Sequence, residues 1–416
     1  MFQLKFTRHH VPMLLIFFVV LIDTMSWAMV IPILPTYALR FHADELTIGL
    51  LLSTYSFTQL LAAPWLGLWS DRVGRKPVLV YSMLGTSLAA LLTGLASSAV
   101  GIGLMVLFVA RALDGITGAN IATAQSYVAD ITEPENRAQG MGMVGAAIGL
   151  GYTFGPAFSG IIARHFGVAT PFFVAAALAF SNMTAMWLLL PEVRTPKEPG
   201  SSSEHSSSRL SNILEAFHNP QFNSLLLVSF LMTVASILYM SMLPLFTKVQ
   251  IHFAEEKNAY LFAYMGFTTT MVQGGLIRPL VKRFGEAPVL LAGLIVLGSS
   301  MTLLTLAHMN FGLYVFTGGL AIGTALVTPT ALGLISRRTL ASEQGKIMGV
   351  SSSISSFGRI LGPAWGGFSF KHFGPHAPFY SGSVACLAGV LILGLFGLRS
   401  PEAMKSEEGE TVKAGG

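Results

Sequence analysis

GLWSDRVGRKP, Gly67 to Pro77, sits between two long apolar segments and packs Asp71, Arg72, Arg75 and Lys76 together with two glycines into a single short connection. A connection of that length and polarity reads as a tight turn at the edge of a membrane. Gly67 permits two helices to approach closely, and Gly74 supplies a turn conformation that a side chain would resist. Asp71 is placed to cap a helix end or to pair with a cation across a bundle.

The chain on either side of this turn is built for hydrocarbon. Its 416 residues are 52% hydrophobic and 11% charged, about half the charged share of an ordinary soluble domain. Polar clusters divide it into twelve apolar stretches, each near the ~20 residues a helix needs to cross a bilayer. They run roughly over 13–36, 46–69, 77–97, 100–123, 138–163, 168–190, 222–246, 258–281, 288–308, 311–335, 345–370 and 377–398. The first follows Lys5 and Arg8 as a signal peptide would, but it continues through Trp27 to Pro35 without a small-residue cleavage site, so it reads as an uncleaved helix. The single cysteine, Cys386, excludes an intramolecular disulfide.

The net charge of +5 points to a membrane rather than to nucleic acid, because of where the cations lie. With both termini inside, 18 of the 25 Lys and Arg fall on cytoplasmic segments, and five (Arg40, Arg164, Lys248, Lys257, Lys371) fall outside. Arg111 and Arg359 lie within helices. The positive-inside rule selects that topology, and an even helix count agrees with it.

Residues 191–221 break the apolar pattern with proline, serine and mixed charge, as a cytoplasmic linker between halves would. Leu210, Ile213, Leu214 and Phe217 within it recur at helical spacing, which suits either a short amphipathic helix on the membrane surface or an irregular lead into the next span. The flanking halves repeat one another. KRFGEAPVLL at 282–291 answers DRVGRKPVLV at 71–80, and GPAWGGFSFKHFGPHAPF from Gly362 answers GPAFSGIIARHFGVATPF from Gly155. The expected organisation is therefore a six-helix bundle over 1–190, the linker, a second bundle over 222–398 and a cytoplasmic tail over 399–416. Lys282 stands where Asp71 does, so the two repeated turns cannot act identically.

These motifs carry a resemblance. Gly67, Asp71, Arg72, Gly74, Arg75 and Lys76 fill a pattern that resembles the signature loop of the major facilitator superfamily, Gly-x-Leu-x-Asp-Arg-x-Gly-Arg-Lys. Arg111, Gly115 and Ala119 match its fourth-helix pattern. Gly145, Gly149, Gly151, Gly155, Pro156 and Gly160 resemble the fifth-helix motif of drug/proton antiporters, with Ser159 replacing one glycine. RALDGITGAN followed by SYVADIT is similar to tetracycline exporters in particular, although the second half lacks the membrane His and Asp that those exporters use for coupling. The resemblance implies an all-α integral membrane protein of twelve transmembrane helices, with substrate bound between two bundles related by an axis along the membrane normal.

Ionised side chains are expensive in hydrocarbon, so an intramembrane charge is a functional candidate. Of the 20 acidic residues only Asp23 and Asp114 lie deep within predicted helices. Asp23 precedes a Pro-x-x-Pro pair, as in related drug exporters, and a carboxyl group in a cavity of low polarity can serve as a reversible proton carrier. Its other reading is a structural or gating carboxylate. Arg111 and Asp114, three residues apart, either gear proton transfer to conformation or form a self-neutralising pair. Arg359 repeats Tyr152 and has no acid in its own half's membrane segments. It either meets an anionic substrate group or Asp23 across the cavity, or snorkels and bonds backbone carbonyls. Gln59, Asn120, Gln125, Asn182 and Gln273, with Trp27, Tyr55, Phe57, Tyr239 and Tyr264, are candidates for the cavity wall, or for ordinary packing. Asp130 and Arg137 are expected to join the cytoplasmic gate formed by the Gly67–Lys76 loop.

There is no nucleotide-binding loop, catalytic triad or metal spacing, so an ion gradient is the expected energy source and neither enzyme activity, cofactor, metal nor nucleic acid is expected. The partners implied are a small-molecule substrate, protons and the bilayer of the cell membrane, for a monomer. A proton-coupled exporter of small lipophilic or amphipathic compounds fits best. The alternatives are a facilitator or symporter of a polar nutrient and a membrane receptor or scaffold.

Overall fold

The computed structural model describes residues 10–96, 101–118, 120–132, 137–192, 220–307, 310–339 and 344–397; the regular elements among them are helices. The first half contains α1 (His10–Val30), α2 (Leu34–Ala38), α3 (Glu45–Val73), α4 (Arg75–Leu95), α5 (Gly103–Thr117), α6 (Asn120–Ile131), α7 (Arg137–Phe166) and α8 (Thr170–Leu189). The second contains α9 (Pro220–Ile251), α10 (Glu255–Met271), α11 (Ile277–Phe284), α12 (Glu286–Leu304), α13 (Asn310–Arg338), α14 (Gln344–Phe373) and α15 (Ala377–Ile392). The amphipathic segment around Leu210 and Phe217 falls outside the described residues.

Among the described residues, nine helices are long and apolar enough to cross a bilayer unaided. Three further crossings fail that test for visible reasons. One is broken at Gly118 into α5 and α6, and one passes from α10 through a π turn at Val272–Leu276 into α11. The third, α14, carries enough serine, glycine and charge to lower its hydropathy. The sum is consistent with twelve. Hydropathy also ends the fourth crossing near 123, whereas α6 runs on to Ile131: it measures the apolar part of a helix, and backbone hydrogen bonding continues past that boundary.

The repeat is written into the backbone. Gly74 ends α3 and opens α4 at φ +108°, and Gly285 does the same between α11 and α12 at φ +83°. A Cβ at Gly74 would displace only the end of the flexible Glu192 side chain, so it is the positive φ that reserves the turn for glycine. At the opposite end of the bundle, Asp44 caps α3, its carboxylate accepting from Thr47 N at 2.8 Å.

Packing differs between the two ends. At the end away from the Gly74 turn, one apolar core joins both halves, with Ile33, Tyr37 and Phe172 of the first sharing it with Tyr239, Phe246 and Phe379 of the second. At the end carrying the turn the cores are separate, one around Ile16, Met83 and Tyr127 in the first half and two in the second, around Leu226, Leu294 and Ile335 and around Val272, Val289 and Leu326. The glycines report the same asymmetry. Far from the turn, a Cβ on Gly49 would strike the Pro363 carbonyl and one on Gly367 the Glu45 carbonyl. Near the turn, Gly67, Gly142, Gly145, Gly274, Gly275 and Gly349 have no such neighbour within 4 Å. The halves meet at the far end and diverge toward the turn.

Candidate functional site

Asp23 lies on α1 at half-buried depth, and four residues later Trp27 begins an aromatic group. The Trp27 ring lies 6.5 Å from Tyr55 of α3 and packs edge-on to Tyr152 of α7 at 5.6 Å. Tyr55 is within electrostatic reach of Asp114, Asp23, Arg111 and Arg359, and Tyr152 within reach of Arg359 and Asp23.

On α5, Arg111 Nη1 donates to Asp114 Oδ2 at 2.9 Å, with both side chains largely shielded. The guanidinium carbon stands 4.6 Å from the centre of the Tyr55 ring, a cation–π contact, and Thr86 donates to Asp114. One turn on, the helix breaks at Gly118, and Gln59 Nε2 donates to the Gly118 carbonyl at 2.6 Å and to Tyr55 Oη at 3.1 Å. Gln59 therefore satisfies a backbone group that the broken helix leaves open.

Arg359 is the sixteenth residue of the thirty in α14, and Tyr152 the sixteenth of thirty in α7. At about 1.5 Å per residue each lies some 22 Å from its helix start, close to mid-membrane. Arg359 Nη2 donates to Ser356 Oγ at 2.8 Å, and among the described residues it makes no ion pair. Tyr152 entered the sequence reading only as the residue that Arg359 repeats. Periodicity could not single it out, because the ring contacts that mark it come from other helices.

The glycines of α7 divide by position. Cβ atoms on Gly151 and Gly155 would meet α1, 2.7 Å from Thr24 Cβ and 2.7 Å from the Met25 carbonyl, and one on Gly160 would lie 2.7 Å from Ala259 Cβ of α10. Gly149 faces Thr270 of α10 at 3.4 Å, while Gly145 meets nothing within 4 Å. The contact surface that the motif implies is thus built from Gly149 onward, beside Pro156 inside the helix. Ser159, the departure from the pattern, donates to the Met29 carbonyl at 2.8 Å. That carbonyl sits at the end of α1, where Pro32 interrupts the ladder.

At the turn, Arg75 binds Asp71 at 2.8 Å, Asp130 of α6 at 3.1 Å and Ser70 Oγ at 2.9 Å. These contacts of Arg75 lie within the first half. Arg72 and Lys76 are not among these contacts, and Gly67 faces open space rather than a neighbouring helix, contrary to the close approach expected of it. The divergence of the halves at this end removes the partner.

Other candidates stand apart. Tyr239 is buried in the far core and its hydroxyl bonds Thr324 of α13 at 3.0 Å, as packing would require. Asn182 donates to the Val19 carbonyl at 3.0 Å, again joining helices. Gln125 and Gln273 are exposed, Gln273 within the π turn. Phe57 and Tyr264 are exposed too. The side chains of Asn120 and Arg137 lie outside those described. Among the described residues, no group of three or more His, Cys, Asp and Glu could hold a metal ion.

Sequence comparison finds relatives over most of the chain. It is 28% identical to multidrug resistance protein 2 of Bacillus subtilis (strain 168) over 366 residues, covering 87% of this chain and 89% of that protein. It is also 28% identical to the class B tetracycline resistance protein of Escherichia coli over 402 residues, 94% and 96% of the two chains. Among solved structures, the fold matches a mutant of the nucleoside transporter NupG with a TM-score of 0.78 at 12% identity, covering 92% of this chain and 100% of that one. It also matches the human organic anion transporter MFSD10 (TETRAN), with a TM-score of 0.67 at 21% identity over 93% of this chain and 100% of that one. The family model of the Major Facilitator Superfamily matches residues 16–279 and again 274–415, and the chain belongs to that superfamily of membrane transporters.

Proposed function

We propose that this chain is a proton-coupled exporter of small lipophilic or amphipathic compounds, drugs among them, working by alternating access in the cell membrane. The observation that carries this reading is the Trp27–Tyr55–Tyr152 ring group with the Arg111–Asp114 pair set against Tyr55, between halves whose shared core lies at one end. Relatives named for multidrug and tetracycline resistance support a drug as cargo. The charge count over the loops supports a cytoplasmic location for the Gly74 turn and both termini, which makes the conformation inward-open.

In this reading Asp23 takes a proton from outside and gives it up inside, because its carboxyl group changes surroundings as the halves rock. Arg111 and Asp114 adjust its proton affinity through the ring of Tyr55. The Asp71–Arg75–Asp130 network, with Gly67, Arg72, Lys76 and Arg137, latches the cytoplasmic side once the halves close there. The driving force is the proton gradient, no cofactor takes part, and a single chain suffices.

The test is uptake of a drug panel into inverted vesicles under an imposed pH gradient, with proton flux recorded together with each compound. Compound-dependent proton movement out of the vesicles supports the reading. Uptake indifferent to the gradient would make the protein a facilitator instead.

A further inference from the structure

The fourth crossing is broken at Gly118, and the break is held from outside the helix. Gly118 has φ −76°, already helical, but ψ +46°, where a helix needs about −42°. Its amide turns back to the Gly115 carbonyl at 3.1 Å, and its own carbonyl takes the Gln59 amide of α3 at 2.6 Å. Interrupted backbone inside a bilayer persists only where other groups satisfy what the helix has freed, so the break depends on Gln59. Gln59 is in turn placed by Tyr55, one turn earlier on α3, whose hydroxyl takes its other N–H at 3.1 Å. The Tyr55 ring is placed by Arg111, which stands 4.6 Å from its centre while bound to Asp114 at 2.9 Å. Beyond the break, α6 carries Asp130 to Arg75 at 3.1 Å.

The second half supplies the comparison. The register that sets Gly362 on Gly155 also sets Gly318, Ala321 and Ala325 on Arg111, Asp114 and Gly118, and the matching helix α13 is continuous from Asn310 to Arg338. It sets Arg337 on Asp130 as well, and Arg337 bridges to Glu286, the counterpart of Arg75, at 3.0 Å. The inner bridge is therefore common to both halves, with its charges exchanged. The ion pair and the break occur together in the first half and are absent together from the second.

We infer that Gln59 is the positioning residue of a hinge at Gly118, which links the Arg111–Asp114 pair to the inner turn. While the pair holds Tyr55 in place, Gln59 keeps the crossing broken and Asp130 on Arg75. When the pair parts, Tyr55 and Gln59 withdraw, the Gly118 carbonyl takes a backbone partner, and a rotation of roughly 90° about one ψ straightens the crossing. Because α6 spans about 18 Å, Asp130 at its far end then leaves Arg75. The inference rests on the export reading and adds a means by which charges within the membrane work the cytoplasmic end. It also accounts for the glycine. A Cβ at Gly118 would lie 2.9 Å from the Asp114 carbonyl and 3.1 Å from Gln59 Nε2, whereas Ala325 is accommodated at the same place in a continuous helix.

The test is hydrogen–deuterium exchange of the full-length protein in detergent, without cargo, read on the peptide that joins the end of α5 to the start of α6. The parent is compared with Gln59→Leu, Gly118→Ala, the double variant and Asp114→Asn, each checked for monodisperse elution. In the broken state the first amides of α6 lack helical partners and exchange quickly. Gln59→Leu, Gly118→Ala and Asp114→Asn should each slow that exchange by about tenfold, the worth of one further backbone hydrogen bond. The double variant should slow it no further than either single change, since both act through one hinge. Removing a bond that merely braces a fixed break would instead speed exchange, so faster or unchanged exchange in Gln59→Leu overturns the inference. Slower exchange in Gln59→Leu but not in Asp114→Asn also overturns it, because the pair then does not control the hinge. Should Gln59→Leu not fold, Gly118→Ala decides in its place by the same criterion. No transport enters this measurement, so its failure leaves export standing, and failure of the drug panel leaves the hinge standing.

Discussion

Asp44 and Lys371 meet at 2.6 Å across the two halves, at the end of the bundle away from the Gly74 turn. On the other side of the same seam, Arg164, which Lys371 repeats, lies 3.7 Å from Glu256. The Lys371 ammonium, followed by the Thr47 hydroxyl and amide, holds the Asp44 carboxyl down at about 2. Its contribution to the closed seam is therefore complete above the ordinary carboxylate range and is lost only as pH falls through about 2, so it is constant across physiological pH. Asp44→Asn keeps the helix cap and removes the charge. Labelling of Ala43→Cys in a Cys386→Ala background should rise, but by less than about fivefold, because an exposed pair contributes only about 0.2–1 kcal/mol. No change at any ionic strength would remove this pair from the gate.

Glycines at the two ends should trap opposite states. A side chain at Gly49 or Gly367 collides with backbone of the other half, whereas one at Gly145 enters open space. Gly49→Val is expected to hold the far end open, raising labelling of Ala43→Cys, while Gly145→Leu folds normally and prevents the other end from closing. Gly155→Leu meets the Met25 carbonyl and Ala28 within the first half, so it should lower thermal stability as well as transport. Identical labelling patterns for Gly49→Val and Gly145→Leu would contradict this.

The crossings, the internal repeat and the turn glycines were legible because each depends on local composition: apolar runs, matched motifs, and a glycine where φ is positive. The relation of Tyr152 to Trp27 was not legible, since it joins helices more than a hundred residues apart. Nor was the open space at Gly67 and Gly145, because one sequence serves every conformation of the cycle and the motif records the closed contact as well as the open one. Asp130, expected at the gate, lies near the end of α6, where Arg75 reaches it at 3.1 Å.

Within the turn the cations should not be equivalent. Arg75 is largely shielded and bridges two carboxylates, while Arg72 is exposed and joins neither. Arg75→Ala should reduce the transport rate by about tenfold or more with substrate affinity unchanged, consistent with loss of a hydrogen-bonded charge network. Arg72→Ala should matter less. The comparison requires initial rates in vesicles beside equilibrium binding in detergent, and equal effects from the two variants would contradict the bridging role.

The Arg111–Asp114 pair separates structure from coupling. Arg111→Gln alone leaves a shielded carboxylate without its cation and is expected to destabilise the fold by about 3 kcal/mol. Arg111→Gln with Asp114→Asn should restore most of the stability, as thermal unfolding in detergent would record. If the double variant is stable yet exports without moving protons, the pair belongs to the coupling machinery; if it exports with normal stoichiometry, it is structural.

The most direct measurement is proton release on substrate binding in weakly buffered detergent solution, comparing the parent protein with Asp23→Asn. The amide keeps the shape of the carboxyl group but carries no proton to give. The expected result is a substrate-dependent fall in pH for the parent, approaching one proton per bound molecule at a pH where Asp23 is protonated, and none for Asp23→Asn, although the variant still binds. Equal release from both proteins would contradict Asp23 as the proton carrier, and with it the coupling on which the export cycle depends.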